Sequence, residues 1–428
     1  MLDIRFIREK AGLVKAGAAK KRIDVDIDAL LDLDERRRDL LSRAEAFRAE
    51  RNAASGRIAR LQGKEKEDAI AKMREVSAQI KALESELQEI QTRLNALMLM
   101  VPNVPRDDVP EGEDDEDNVE TRRWGEVRKF DFGPKDHVQL GEELDIIDIP
   151  RGAKISGTRS YFLKNEGTLL HTAVCMFALN HIVQKGFVPM IVPHLVRDEA
   201  MIGSGFFPWG AEDTYQTTKD RLNIIGTSEV PLVAYHYDEI LSEDELPKHY
   251  AGLSFCFRRE AGSYGRDTRG LYRVHQFEKV EQVVVCKADP EVSRQEHECI
   301  LQNSEEVLQA LGLPYRVVNV CTGAMGGPQV KKYDIETWMP SRNAYGETHS
   351  CSMIYEFQAR RCKLRYRDRV GALRFAHTLN NTVIASPRIL IPILELYQEK
   401  DGSVVIPEVL RPYMGGMDRI GPKTEGRS

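Results

Sequence analysis

Two long apolar stripes separated by a single glycine constrain the fold of this chain more than any other feature. In the first, Leu33, Leu40, Ala44, Phe47, Ala54, Ile58 and Leu61 recur at spacings of three and four, with Arg37 and Arg51 as polar members. In the second, Ala69, Met73, Val76, Ile80, Leu83, Leu87, Ile90, Leu94 and Leu97 keep the same rhythm without a break. Such spacing puts each stripe on one side of a helix and makes the seam of a coiled coil. Between them lies Gln62-Gly63-Lys64, where a glycine is free to take the left-handed backbone that turns a chain back on itself. Two near-equal segments around one break predict an antiparallel helical hairpin over residues 33–97, rather than a coil that merely dimerises the chain. Helices of about 30 residues would make an arm roughly 45 Å long.

The net charge of −6 is unevenly spread. Residues 1–101 hold 21 basic and 18 acidic side chains, residues 102–150 hold 6 and 16, and the remainder hold 34 and 33. Residues 102–120, PNVPRDDVPEGEDDEDNVE, combine three prolines with a carboxylate block and read as a linker that buries almost nothing. The expected organisation is therefore a helical arm over 1–101, an acidic linker over 102–120 and a larger domain over 121–428. The arm exposes Arg36, Arg43, Arg48, Arg57, Lys72 and Arg74. Many neighbour carboxylates, but a phosphate backbone needs only a handful of unpaired cations, and salt screens a distant acidic segment.

No apolar run is long enough to span a bilayer, so no membrane partner is expected. The opening MLDIRFIREKAG lacks the apolar core of a secretory signal, and a cytoplasmic location is expected. Seven widely spaced cysteines without a C-x-x-C pair indicate neither a disulfide framework nor a zinc knuckle.

Beyond the linker, strand-like runs lie near 188–193, 253–260, 271–285, 315–320 and 372–380, and helical stretches near 166–185, 229–242, 289–312 and 387–398. This order predicts an α+β fold with an antiparallel sheet flanked by helices. The common glycine-rich nucleotide motifs are absent. Instead, Arg258 and Glu260 are two apart in one predicted strand, and after a Gly/Ser/charged loop over 261–270 the positions Arg273, His275, Phe277, Lys279 and Glu281 would share a strand face. An aromatic flanked by cations and a carboxylate suits adenine and phosphate. Glu347 and Ser350, three apart, have the chemistry to share a hard cation. Ser386 as N-cap and Pro387 as first helical residue would put Arg388 in a first turn that prefers an anion, although Pro392 should then kink the helix unless it starts later. A catalytic His349/Cys351 pair is set aside, because strand alternation is expected to separate the two and no third group orients the histidine.

The run F-R-R-E-A-G-S-Y-G-R-D-T-R-G-L-Y-R-V-H-Q-F-E-K-V-E resembles motif 2 of the class II aminoacyl-tRNA synthetases in its seryl form. G-T-S-E-V-P-L, E-T-H-S-C-S, F-Q-A-R-R and T-L-N-N-T-V-I-A-S-P-R complete that form, and G-F-V-P-M-I-V-P resembles the motif that builds the dimer interface in that class. The resemblance spans essentially the whole chain, arm included. It implies a class II antiparallel sheet and ATP-dependent activation of L-serine, followed by transfer to serine tRNA or, where present, selenocysteine tRNA. It further implies a homodimer, with Mg²⁺ as the accompanying cation. By this similarity Arg258 would hold the α-phosphate and border the amino acid, Arg388 would hold the γ-phosphate, and Phe277 would stack on adenine with Arg388 on its other face. Glu260 would lie near the adenine amino group, with Arg273 in the same ATP-binding set. Glu347 and Ser350 would hold the cation; Thr227 and Glu229 would meet the serine α-ammonium; Glu281, Asn380 and Thr382 would line the hydroxyl pocket. The arm would grip the tRNA. Two rival readings remain, a paralogue that passes serine to a carrier protein and a catalytically dead scaffold; the basic arm opposes the first and the intact set of site residues the second.

Overall fold

The structure, a computed structural model, describes residues 1–261 and 269–422, so most of the expected loop at 261–270 lies outside the described residues. The chain forms two compact units, one made of Leu2–Ala19 and Ile23–Pro102 and the other of Met1, Lys20–Arg22 and the residues from Asn103 onward.

In the first unit, helix α1 (Ile27–Ile58) and helix α2 (Gly63–Met100) pack as an antiparallel hairpin. The Asp26 side chain caps α1 by accepting from the Ala29 amide, and Gly63 opens α2 at φ +60°, where a side chain would be strained. Leu33, Leu40, Ala44, Val76, Ile80, Leu83, Ile90 and Leu94 bury the seam, whereas Phe47, Ala54, Ile58, Ala69 and Met73 nearer the turn are only half-buried. Arg37 is tolerated in the stripe because it donates to the wholly buried Asp34 at 2.8 Å, which Arg8 and Arg38 also approach.

The second unit is built on strands β1 (Val119–Trp124), β2 (Val188–Ile191), β3 (Lys248–Phe257), β4 (Gln276–Cys286), β5 (Tyr315–Asn319), β6 (Lys331–Met339), β7 (Ala344–Tyr355) and β8 (His377–Ser386). They form one sheet in the order β1-β5-β6-β7-β8-β4-β3-β2, antiparallel throughout except for the edge pair β2/β3. Helices α3 (Glu166–Gln184) and α5 (Pro290–Ala310) pack on the sheet, while α4 (Glu229–Ala234), α6 (Phe357–Cys362) and α7 (Leu390–Leu396) carry shorter connections. Leu170, Val174, Ala178 and Ile182 of α3 and Ile300, Leu301 and Val307 of α5 share one core with Val280, Val284, Leu379 and Ile384 of the sheet. Each of the Leu, Ile and Val side chains among them contributes roughly 1.5–3 kcal/mol when removed from water.

Several expected boundaries move. The acidic segment is not an unpacked linker: the Asn103 amide donates to Gly327 O at 2.8 Å, Val109 is buried, and β1 pairs with β5 from Val119 on. The helix expected over 229–242 ends at Ala234, and Ile240–Ser242 is a strand. Strands β6 and β7 are absent from the expected set, although Tyr333, Ile335 and Met339 of β6 alternate with Asp334, Glu336 and Trp338 as a half-buried strand does.

Candidate active site

A cavity gathers side chains from β4, β6, β7 and β8 and from the segments that follow β3 and β8. Thr227, Glu229, Arg258, Glu260, Phe277, Glu281, Glu347, Ser350, Asn380, Thr382 and Arg388 all line it. Of the residues expected from the sequence, Arg273 does not; its guanidinium holds Glu260 at 2.6 Å instead.

The pleat alone does not bring these groups together. In the β6/β7 ladder Ile335 pairs with His349 and Glu336 with Glu347, so Thr348 is an extra, bulged residue. The bulge removes one step of alternation, and Glu347 and Ser350, three apart, come to line the same cavity. A second bulge lies in the neighbouring ladder, where Glu281 pairs with Thr382 and Val280 with Ile384, leaving Val383 extra. It sets Thr382 and Ala385 toward the cavity while Ile384 packs in the core.

One end of the cavity is acidic. Glu229, on α4, accepts from Gln358 Nε2 of α6 at 2.7 Å and from Asn380 Nδ2 of β8 at 2.8 Å. Burial, and then the negative charge of Glu281, push its carboxyl up to about 7 against the opposing pull of Lys279, Gln358 and Arg258. Glu281, 2% exposed, accepts from its cross-strand partner Thr382 at 3.3 Å and is paired with Lys279. Lys279 also donates to the Thr227 hydroxyl at 2.7 Å, so one ammonium joins the two sides of the recess.

The other end is cationic. Arg258 lies with Cζ 5.2 Å from the Phe277 ring centroid and donates to Gly226 O at 3.3 Å. Arg388 donates to Tyr272 O at 2.9 Å and Glu347 O at 3.0 Å, and its guanidinium sits 4.5 Å from the Tyr272 ring centroid. Partial desolvation would push the half-exposed Glu347 carboxyl up, but Lys332, Arg388, Arg258 and Arg273 outweigh it and hold the group below the usual carboxylate range. Lys332 in turn donates to Asp334 at 2.9 Å.

Three expectations about backbone are corrected. Strand β3 ends at Phe257 and Glu260 has φ +55°, so a turn, not two-residue alternation, puts Arg258 and Glu260 in one cavity. Likewise β4 begins at Gln276, which leaves Arg273 and His275 outside the strand. Ser386 is the last residue of β8 rather than an N-cap, and α7 starts at Leu390, so Arg388 lies in the turn before the helix. Pro392 then falls in the first turn, where its missing N–H costs no intrahelical bond. His349 and Cys351, two apart, share a buried side of β7 and are not separated by alternation. They do not form a nucleophile–base pair: both ring nitrogens of His349 are engaged, by the Thr348 hydroxyl at 2.8 Å and the Val383 carbonyl at 3.0 Å, and burial pushes the Cys351 thiol well above its ordinary value.

Gln358, Lys332 and Tyr272 were not singled out from the sequence. Each acts through a neighbour; Gln358 stands in the run F-Q-A-R-R and Tyr272 in the long run that ends at Glu281, but neither run marks them as site residues. On the arm, Arg36 pairs with Glu86, Arg43 with Asp39, Arg48 with Glu84 and Lys72 with Glu50. Arg57 and Arg74 are exposed and in no ion pair among the described residues. Six of the seven cysteines are buried, Cys299 being exposed.

Comparison with known proteins agrees along the full chain. Residues 1–105 match the seryl-tRNA synthetase N-terminal domain, and residues 212–397 match the tRNA synthetase class II core domain (G, H, P, S and T). The serine–tRNA ligase of Deinococcus radiodurans is 49% identical over 421 residues, covering 98% of this chain and 99% of that protein. The crystal structure of seryl-tRNA synthetase from Pyrococcus horikoshii complexed with ATP superposes with a TM-score of 0.92 at 40% identity, covering 99% of this chain and 100% of that one. The cytoplasmic serine-tRNA ligase of Naegleria fowleri in complex with AMP gives a TM-score of 0.87 at 31% identity, over 99% of each chain. With an α+β catalytic sheet, an N-terminal helical hairpin and relatives matched end to end, this chain belongs to the seryl-tRNA synthetase family.

Proposed function

We propose that this chain is a serine–tRNA ligase, converting L-serine and ATP to seryl-adenylate and pyrophosphate and then passing the seryl group to serine tRNA, or to selenocysteine tRNA where one exists. The observation that carries this reading is the junction of a small acid-lined recess with a cationic region across Phe277. In the recess, Glu229, oriented by Gln358 and Asn380, meets the α-ammonium beside Thr227, and Glu281 with Thr382 meets the hydroxyl. Alanine would leave those buried groups unpaired, and threonine would add a methyl to a filled space. The serine carboxylate attacks the α-phosphorus, a new P–O bond forms, and the bond to pyrophosphate breaks. Arg258 stabilises the charge at the α-phosphate and Arg388 the departing end, so catalysis is positioning and electrostatics without a protein nucleophile. Phe277 supplies the face for adenine, and Glu260, held by Arg273, its edge. A tRNA 3′-terminal hydroxyl then attacks the acyl carbon and AMP leaves.

Glu347 and Ser350 suit Mg²⁺, since both present hard oxygens to one cavity and surrounding cations keep Glu347 ionised. When bound, the ion would neutralise phosphate charge. The helical hairpin of residues 33–97, within an arm of residues 1–101, binds tRNA through its backbone and shape. The chain works as a homodimer, for which the edge strand β2 exposes Val188 and Ile191, the latter 86% open. No helix among the described residues is long and apolar enough to cross a membrane, and the cytoplasm is the expected place of action. Charging of serine tRNA by the purified protein with ATP, Mg²⁺ and labelled serine tests the whole reading. Labelled adenylate without labelled tRNA would point to a different acceptor.

A further inference from the structure

Outside the cavity, His171 of α3 bonds two strands at once. Its Nδ1 lies 2.7 Å from Ser386 Oγ and its Nε2 lies 2.8 Å from Glu278 Oε2. Ser386 and Glu278 are themselves cross-strand partners at the end of the β8/β4 ladder. A carboxylate only accepts, so Nε2 carries the hydrogen, and in the neutral ring Nδ1 accepts from the Ser386 hydroxyl. The trio has the hydrogen-bond order of a hydrolytic triad, but Ser386 is fully buried and no substrate can reach its hydroxyl. The Cys175 sulfur, one ring nitrogen of His171 and a Glu278 carboxylate oxygen also lie within 4.8 Å of one another. Both ring nitrogens are engaged, however, and burial with the Glu278 charge keeps the thiol protonated, so nothing there calls for a metal.

The position of this clamp gives it a consequence. Glu278 follows Phe277, which lines the cavity, and Ser386 stands two residues before Arg388. We propose that His171 is a positioning residue for the phosphate end of the cavity: by tying Ser386 to Glu278 it fixes the end of β8, and thereby Arg388, relative to Phe277. The inference rests on the reading of that end as the ATP site. Helix α3 contributes no side chain to the cavity lining, so His171 acts only through these two strands.

The test is serine-dependent ATP–pyrophosphate exchange, with ATP and serine varied separately. His171→Ala should raise the KM for ATP about tenfold and leave that for serine within about twofold, and Ser386→Ala should do the same without further loss in the double variant. His171→Asn places an amide oxygen where Nδ1 stands and should recover most of the loss; His171→Gln, which reaches toward Glu278 instead, should not. A folded His171→Ala with an unchanged KM for ATP, or with both KM values rising together, overturns the proposal. Should His171→Ala fail to fold, the Asn and Gln variants decide it, and equal or reversed behaviour of the two counts against. Arg388→Ala serves as the control: if it leaves the KM for ATP unchanged, the ATP reading fails, not merely the clamp.

Discussion

The imidazole of His349 donates through Nε2 to the carbonyl of Val383 at 3.0 Å, and thereby ties two β-bulges together. Val383 is the extra residue of β8, and Thr348, the extra residue of β7, holds His349 Nδ1 at 2.8 Å. One bulge presents Glu347 and Ser350, the other Thr382 and Ala385. Loss of the ring should therefore disturb both ends of the cavity. We expect His349→Ala to raise the Mg²⁺ concentration for half-maximal exchange and the KM for serine, each roughly tenfold, and to cost about 1–3 kcal/mol for the orphaned carbonyl. Titrations of each component and a denaturation curve check this; a change confined to one substrate would mean the bulges are independent.

The carboxyl of Glu229, raised to about 7, must be ionised to pair with the serine ammonium. The apparent kcat/KM for serine should therefore rise as pH increases through about 7 and level off above it. Because the folded value lies above the ordinary 4.5, this group favours the fold most at low pH and that contribution is lost as pH rises to about 7. Gln358→Leu, which removes a donor to the carboxylate, should move the activity midpoint to higher pH. A flat profile between pH 6 and 8 would exclude Glu229 from the ammonium site.

Glu281 touches Lys279 and Thr382 and lies at the recess rather than at the cationic end. Its replacement by Ala should raise the KM for serine by about tenfold or more, while the KM for ATP stays within about twofold. Kinetics with each substrate varied alone distinguish this from general damage, which would move both.

On the arm, the cations differ in availability. Arg57 and Arg74 are in no ion pair among the described residues, whereas Arg36 and Arg48 already face Glu86 and Glu84. Replacing Arg57 and Arg74 together by Ala should weaken tRNA binding and reduce the salt slope of the binding constant by up to about 2, more than the Arg36/Arg48 double variant does. Equal slopes for the two pairs would mean that ion pairing does not decide which arm residues meet phosphate.

The hairpin was legible in the sequence because its seam repeats over many turns and Gly63 marks the reversal. The composition of the cavity was legible as well, since its residues cluster in short polar runs. Their geometry was not: Glu347 and Ser350 meet through a bulge at Thr348 that two-residue alternation cannot anticipate, and Glu260 turns inward at a positive φ. Arg388 was expected in a helix because Ser-Pro is a common start, whereas the residues pairing Ser386 with Glu278 keep that serine in the strand. The roles of Gln358 and His171 are not legible in the sequence, because each acts on a side chain distant in the chain.

The central claim, that the recess beside Phe277 selects serine for activation, is tested most directly by ATP–pyrophosphate exchange with serine, alanine and threonine supplied separately. Serine should support exchange, with alanine and threonine at least about a hundredfold weaker in kcat/KM. Exchange that is absent with serine, or equal for serine and alanine, would contradict the account.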